Sequence, residues 1–176
     1  FLLIAIAFIF KIISNIAFYY KTVEHNVYGL IQVSTYILHQ VRWINDFSIF
    51  MFRFLMLLGF MIILFTTLNF RDKKLIVLFT FFLLISTLFS NFSYLVFHLS
   101  LILILALILI FYYKNHLRHR SRSSKVVALS FFFMFLSQVI FLFIIFDNTF
   151  YFVGESVQLM GFLFLLYNYI LILKKR

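Results

Sequence analysis

The stretch Leu95-Val-Phe-His-Leu-Ser-Leu-Ile-Leu-Ile-Leu-Ala-Leu-Ile-Leu-Ile-Phe-Tyr-Tyr113, followed at once by Lys114-Asn-His-Leu-Arg-His-Arg-Ser-Arg-Ser-Ser-Lys125, decides the fold. The first part is apolar almost without interruption and close to the ~20 residues a helix needs to cross a bilayer. The second part carries five positive charges and no negative one. A lipid-facing barrel strand would alternate, which this run does not do. An apolar run that ends abruptly in Lys and Arg is the pattern of a spanning helix with a cytoplasmic stop.

Five further runs share the pattern: Phe1–Tyr20, Phe47–Phe70, Leu75–Phe92, Val126–Phe146 and Thr149–Leu173. Between them lie Arg71-Asp72-Lys73-Lys74, the uncharged Asn91-Phe92-Ser93, the acidic Asp147-Asn148 and the closing Lys174-Lys175-Arg176. Eleven of the 15 Lys and Arg fall in three loops that successive spans place on one side. Those loops, with the C-terminus, are expected in the cytoplasm of a cell-membrane protein. The composition agrees. The chain has 176 residues, 65% hydrophobic and 11% charged, with 29 Phe and a mean hydropathy of +1.13. Soluble domains have about 45–50% apolar and about 25% charged residues. The net charge of +10 is then a matter of topology and of anionic lipid head groups at the basic loops, and requires no nucleic acid. A second copy or another membrane protein remains open as a partner.

Two absences sharpen this picture. With no cysteine, disulfides, thiolate metal sites and cysteine nucleophiles are excluded. With no proline and only Gly29, Gly59, Gly154 and Gly161, the helices are expected to run unbroken, unlike the interrupted helices of many transporters. Phe1 already lies inside an apolar run, so a start further upstream is expected.

The segment Val27–Ile44 is amphipathic. At about 100° per residue, Gln32, Thr35, His39 and Arg42 gather on one side and Leu30, Val33, Ile37, Leu38, Val41 and Ile44 on the other. Tyr28, Tyr36 and Trp43 suit a headgroup boundary, so the segment is read as an interfacial helix on the outer face. If it spans instead, the first run reverses and the count rises from six to seven.

The chain also echoes itself at an offset of 102 residues. Met56-Leu57-Leu58-Gly59-Phe60 returns as Gln158-Leu159-Met160-Gly161-Phe162. An acidic–amide corner precedes each helix, Asn45-Asp46 and Asp147-Asn148, and a basic stop follows it. This predicts two parallel, related halves around the middle helix Leu75–Phe92. Ser48, Arg53, Gly59, Thr66 and Thr67 share one arc of the first helix, and Gly154, Glu155, Gln158, Gly161 and Asn168 one arc of the second. Small and polar residues mark helix contacts in lipid, so these arcs are expected to face each other, packed through Gly59, Gly154 and Gly161.

The offset pairs Arg53 with Glu155 at matched depth. Ions inside the hydrocarbon seldom face lipid, so the two are expected to meet, either as an ion pair that fixes packing or as the floor of an outward-facing pocket. Gln158 and His98 lie at similar depth and could complete either arrangement. Lys11 is a further intramembrane charge, with Ser14 and Asn15 one turn on and Ser137 and Gln138 at comparable depth. The cluster Phe131-Phe132-Phe133 is read as lipid-facing bulk. Phosphate loops, zinc pairs, nucleophile elbows and paired catalytic carboxylates are missing, so no enzyme, metal or cofactor is expected.

The runs Phe10-Lys11-Ile12-Ile13-Ser14-Asn15, Phe52-Arg53-Phe54-Leu55-Met56-Leu57-Leu58-Gly59 and Gly154-Glu155-x-x-Gln158-Leu159-x-Gly161-Phe162 resemble a pattern in small polytopic membrane proteins of archaeal genomes, a family of about seven helices with no assigned activity. The resemblance implies another helix upstream of Phe1 and supplies no mechanism. The sequence therefore leads to an all-α transmembrane bundle acting as a sensor or small-ligand-binding module. A carrier of a small solute or ion, and a structural subunit of a membrane complex, are the alternatives.

Overall fold

A computed structural model describes the backbone of residues 2–24, 31–69, 72–90, 93–119 and 122–174, and side chains among these outside 18–41 and 118–123. Six α-helices follow one another: α1 (Leu2–Glu24), α2 (Ile31–Leu68), α3 (Lys73–Ser90), α4 (Tyr94–His119), α5 (Arg122–Leu142) and α6 (Thr149–Leu173). A short 3₁₀ turn, Phe143–Ile145, joins the last two. The described residues contain no strand. Five helices hold segments long and apolar enough to cross a membrane: Arg42–Leu68, Lys73–Ser90, Tyr94–Leu117, Ser124–Ile145 and Thr149–Leu173. In α1 the apolar portion with described side chains is Leu2–Ala17.

Local chemistry sets the ends. Asn69 closes α2 in a left-handed conformation, φ 53°, which Asn tolerates because its side chain can bond locally. Asp72 Oδ1 accepts the N–H of Lys74 at 2.9 Å ahead of α3. Asp147 Oδ1 accepts the N–H of Thr149 at 2.9 Å and its hydroxyl at 2.7 Å ahead of α6. These two bonds hold the exposed Asp147 carboxyl below its ordinary value, because both stabilise the ionised form.

One expected boundary is absent. The corner Asn45-Asp46 lies inside α2, so the described part of the amphipathic segment, 31–44, is the first stretch of that helix and not a separate interfacial element. Residues 27–30, and the side chains that would form its polar face up to Val41, lie outside the described residues. The physical reason is plain. Neither proline nor glycine interrupts 31–58, and Asn45 spends its side chain on a neighbour, accepting the Ser14 hydroxyl at 2.8 Å. The 38 residues of α2 run about 57 Å at ~1.5 Å per residue, nearly twice the ~30 Å of a hydrocarbon core.

The helices alternate in direction. Ile4 meets Gly59 while Ser14 meets Asn45, so α1 and α2 are antiparallel. The stacked rings of Tyr112 and Phe131, and the bond from Tyr94 to Phe141, set α4 against α5. Gly161 lies on Ser130 and Met134, and Gly154 on Phe141, which sets α5 against α6. Phe8 meets Phe162 edge-on at 5.3 Å between α1 and α6, and Phe52 meets Phe97 at 5.9 Å between α2 and α4. Helices α1, α2, α4, α5 and α6 thus follow one another around a ring whose last gap, between α1 and α6, is bridged by side chains alone. Of the described basic residues, Lys73, Lys74, Lys114, Lys125 and Lys174 stand near or beyond the helix ends on one side, while Lys11, Arg42 and Arg53 lie within α1 and α2.

Helix α3 lies outside the ring, against α2 through Phe65 and Phe79 and against α4 through the Ser86–Ser100 hydroxyl pair at 2.7 Å. The expectation that Leu75–Phe92 is the middle helix is therefore corrected: α3 lies at the edge, and it is α4, between α2 and α5, that has Leu101, Leu105 and Ile108 fully buried. The reason is chemical. One face of α4 is Leu and Ile at every turn, whereas α3 buries only Leu83, Thr87 and Ser90. The arcs of α2 and α6 do not face each other either. Gly59 receives α1, and Gly154 and Gly161 receive α5, because each glycine packs on the helix that precedes its own. Phe131 is a core residue, 1% exposed, while Phe132 beside it faces outward.

Candidate functional site

Toward the end of the ring away from the basic residues, a chamber of about 220 Å³ is lined by all five ring helices. Its polar lining comes from Lys11, Ser14 and Asn15 of α1, Arg53 of α2, Tyr94 and His98 of α4, Gln138 of α5, and Tyr151 and Gln158 of α6. Beneath it Leu57, Phe60, Leu105, Ile108, Phe131 and Met134, each at most 2% exposed, fill the ring. A second, larger opening of about 670 Å³ lies between α1 and α6. Lys11 and Gln158 border both spaces.

The charges are not partnered as the offset suggests. Glu155 forms its ion pair with Lys11, across α1 and α6. The Lys11 ammonium also lies 5.5 Å from the ring centre of Phe52 and 5.7 Å from that of Tyr151. Arg53 turns toward α3: its Nη1 donates to the Ser90 carbonyl at 2.6 Å and approaches the Ser90 hydroxyl at 3.3 Å. Ser90 is the last residue of α3, where helix carbonyls lack intrahelical donors and the helix dipole favours a cation. The guanidinium also lies 5.8 Å from the Phe97 ring centre. The expected Arg53–Glu155 pair is thus replaced by two separate anchors. The two side chains leave α2 and α6 toward different neighbours.

His98 and Gln138 form a further polar contact across helices, with 2.8 Å between Nδ1 and Oε1. As the amide is oriented, its oxygen can only accept, so His98 Nδ1 carries the proton. Gln138 Nε2 passes on to Ser137 Oγ at 3.3 Å, and Ser137 donates to the Met134 carbonyl at 2.7 Å. Tyr94 donates to the Phe141 carbonyl at 3.0 Å in the last turn of α5, again meeting a helix-end acceptor. Its ring lies 4.2 Å from that of His98.

Of the residues singled out from the sequence, Arg53, His98, Gln158 and Lys11 line the chamber, and Glu155 lies beside it in the opening between α1 and α6. Gly59, Gly154 and Gly161 are contact points, not lining. Tyr94 and Tyr151 were missed. Their signal is weak, since tyrosines at span ends suit any membrane boundary. Among the described residues no group of three His, Asp or Glu side chains is placed to hold a metal. Comparison with protein-family models, with curated proteins and with solved structures finds no match.

Proposed function

We propose that the chain is a non-enzymatic, multi-pass cell-membrane protein that binds a small polar ligand in the chamber, and that occupancy alters helix packing toward the basic cytoplasmic end. One observation carries this reading: five helices each bring polar groups to a single chamber closed beneath by packed apolar side chains. Polar groups held in a low-dielectric setting give specificity, because a ligand that fails to satisfy them leaves them unpaired. Lys11 and Arg53 bring two cationic groups to the chamber wall, which favours a ligand with an anionic group.

Membrane insertion is supported by the five apolar helices, and its orientation by the basic residues gathered at one end. On this reading α1 is a sixth span, and the basic loops meet anionic lipid head groups. The apolar side chains packed under the chamber favour binding over carriage of a solute. The archaeal family resemblance is compatible with either.

The test is a thermal-stability screen of the purified protein in nanodiscs against small carboxylates, amino acids and sugars. A stabilising compound should lose its effect in Ile49→Trp, which fills the chamber from α2. A stabilising effect that survives in this variant, or a panel of anionic compounds with no effect at all, would overturn the chamber as a binding site.

A further inference from the structure

A separate groove lies at the basic end, on the outer face between α4 and α5, with a volume of about 500 Å³. Leu109, Ile110 and Tyr113 border it from α4, and Leu129 and Phe132 from α5. Ile110, Tyr113, Leu129 and Phe132 are each more than a third exposed. His116 and Lys125 stand at its mouth. The antiparallel helices carry these two to the basic end, with Leu109 and Phe132 each seven residues deeper, about 10 Å at ~1.5 Å per residue. Polarity is therefore graded along the groove, cationic at the mouth and apolar within.

The mouth also holds an unmet hydrogen-bonding group. Among the described residues His116 Nδ1 is buried without a hydrogen-bond partner, and a buried polar atom left alone is destabilising. The side chains of this end are cationic: Lys114 precedes His116 by two residues, and Lys125 faces it across the groove. With His116 in its Nδ1–H tautomer, the partner that completes such a site accepts a hydrogen bond, carries negative charge and presents hydrocarbon to the groove walls.

We infer that the α4–α5 groove binds an anionic phospholipid, its phosphate at His116 and Lys125 and one acyl chain along Ile110, Leu129 and Phe132. This rests on the membrane reading with basic loops at the headgroup level, and not on the chamber. It goes further by assigning one built site where that reading has only diffuse attraction. The phosphate oxygens accept from His116 Nδ1–H and from the Lys125 ammonium, bonds strengthened by charge. The chain covers apolar surface at about 25 cal/mol per Å² where water or detergent would otherwise reach it.

The experiment is native mass spectrometry of the full chain released from dodecyl maltoside micelles, doped with dioleoylphosphatidylglycerol or dioleoylphosphatidylcholine. The wild type should retain one phosphatidylglycerol in preference to phosphatidylcholine. Lys125→Met should cut that preference about fivefold, the worth of one cation near a membrane surface. His116→Leu should also weaken it, and Leu129→Trp, which fills the groove and leaves every charge in place, should abolish it. Lys174→Met, at the same end but off the groove, should leave it intact. Circular dichroism of each variant verifies that the helices persist. Equal loss from Lys174→Met and Lys125→Met would overturn the site and leave diffuse attraction. No preference for phosphatidylglycerol in the wild type would overturn both. Displacement of the lipid by glycerol 1-phosphate at equal concentration would show a site for a soluble phosphate ester, and the lipid assignment would fall.

Discussion

Breaking the Lys11–Glu155 pair gives a sharp test of how this ring is held together. Removing one member of a buried pair strands the other, at a cost of about 3–5 kcal/mol. The two sides are not equally buried: the Lys11 side chain is 19% exposed and that of Glu155 39%. Glu155→Gln strands the deeper charge, with the rings of Phe52 and Tyr151 as remaining partners, each worth about 0.5–1 kcal/mol. Its expected cost is about 2–3 kcal/mol. Lys11→Met strands the shallower carboxylate and should cost less, about 1–2 kcal/mol. The double variant removes both charges and should recover about 1–3 kcal/mol as coupling. Arg53→Met combined with Glu155→Gln should instead add to within about 0.5 kcal/mol, since Arg53 is anchored on Ser90. The assay is unfolding by sodium dodecyl sulfate in mixed micelles, followed by far-ultraviolet circular dichroism. Additivity of the Lys11 and Glu155 changes, or strong coupling between Arg53 and Glu155, would refute the assignment of partners.

Gly161→Ala should destabilise by about 1–3 kcal/mol and by more than Gly59→Ala in the same assay. The new Cβ at 161 meets the Ser130 carbonyl at 3.0 Å and the Met134 nitrogen at 3.2 Å, which cannot rotate away, whereas at 59 the close contact, 2.7 Å, is with the Ile4 side chain and the nearest backbone atom, Ile4 N, stands off at 3.5 Å. Gln138→Leu strands the His98 N–H at a cost of about 1–3 kcal/mol, and adding His98→Phe should restore most of it; an unchanged loss in the double variant would argue against the contact. For orientation, single cysteines at Asn148 and Lys114 in this cysteine-free chain should label oppositely with an impermeant thiol reagent on intact cells, Asn148→Cys reacting and Lys114→Cys protected. Labelling of Lys114→Cys alone would invert the topology.

The helices themselves are legible in the sequence because each apolar run is long, uninterrupted and bounded by charge or amide. In lipid or any apolar setting a backbone must satisfy its own hydrogen bonds, so composition alone forces α-helix, and five of the expected spans begin and end near the helices observed. The boundary at Asn45-Asp46 was misread because a polar corner looks the same whether it turns the chain or bonds sideways to Ser14. The polar residues of the chamber were also largely visible: Lys11, Arg53, His98 and Gln158 stand out as misfits in apolar runs.

Partners were a different matter. Position along a helix follows from residue number at ~1.5 Å per residue. Which neighbour a side chain meets depends on the order of helices around the ring, and a one-dimensional pattern carries no such angle. Lys11 reaches Glu155 because α1 closes the ring against α6, and Arg53 reaches Ser90 because α3 lies outside, between α2 and α4. The sequence by itself determined the helices, most of their ends and the position of each charge along its helix. Tertiary packing decided which helix is central, which glycine receives which neighbour and which ions pair, because helices in an apolar setting are sorted by the fit of their surfaces and no longer by a need to hide from water.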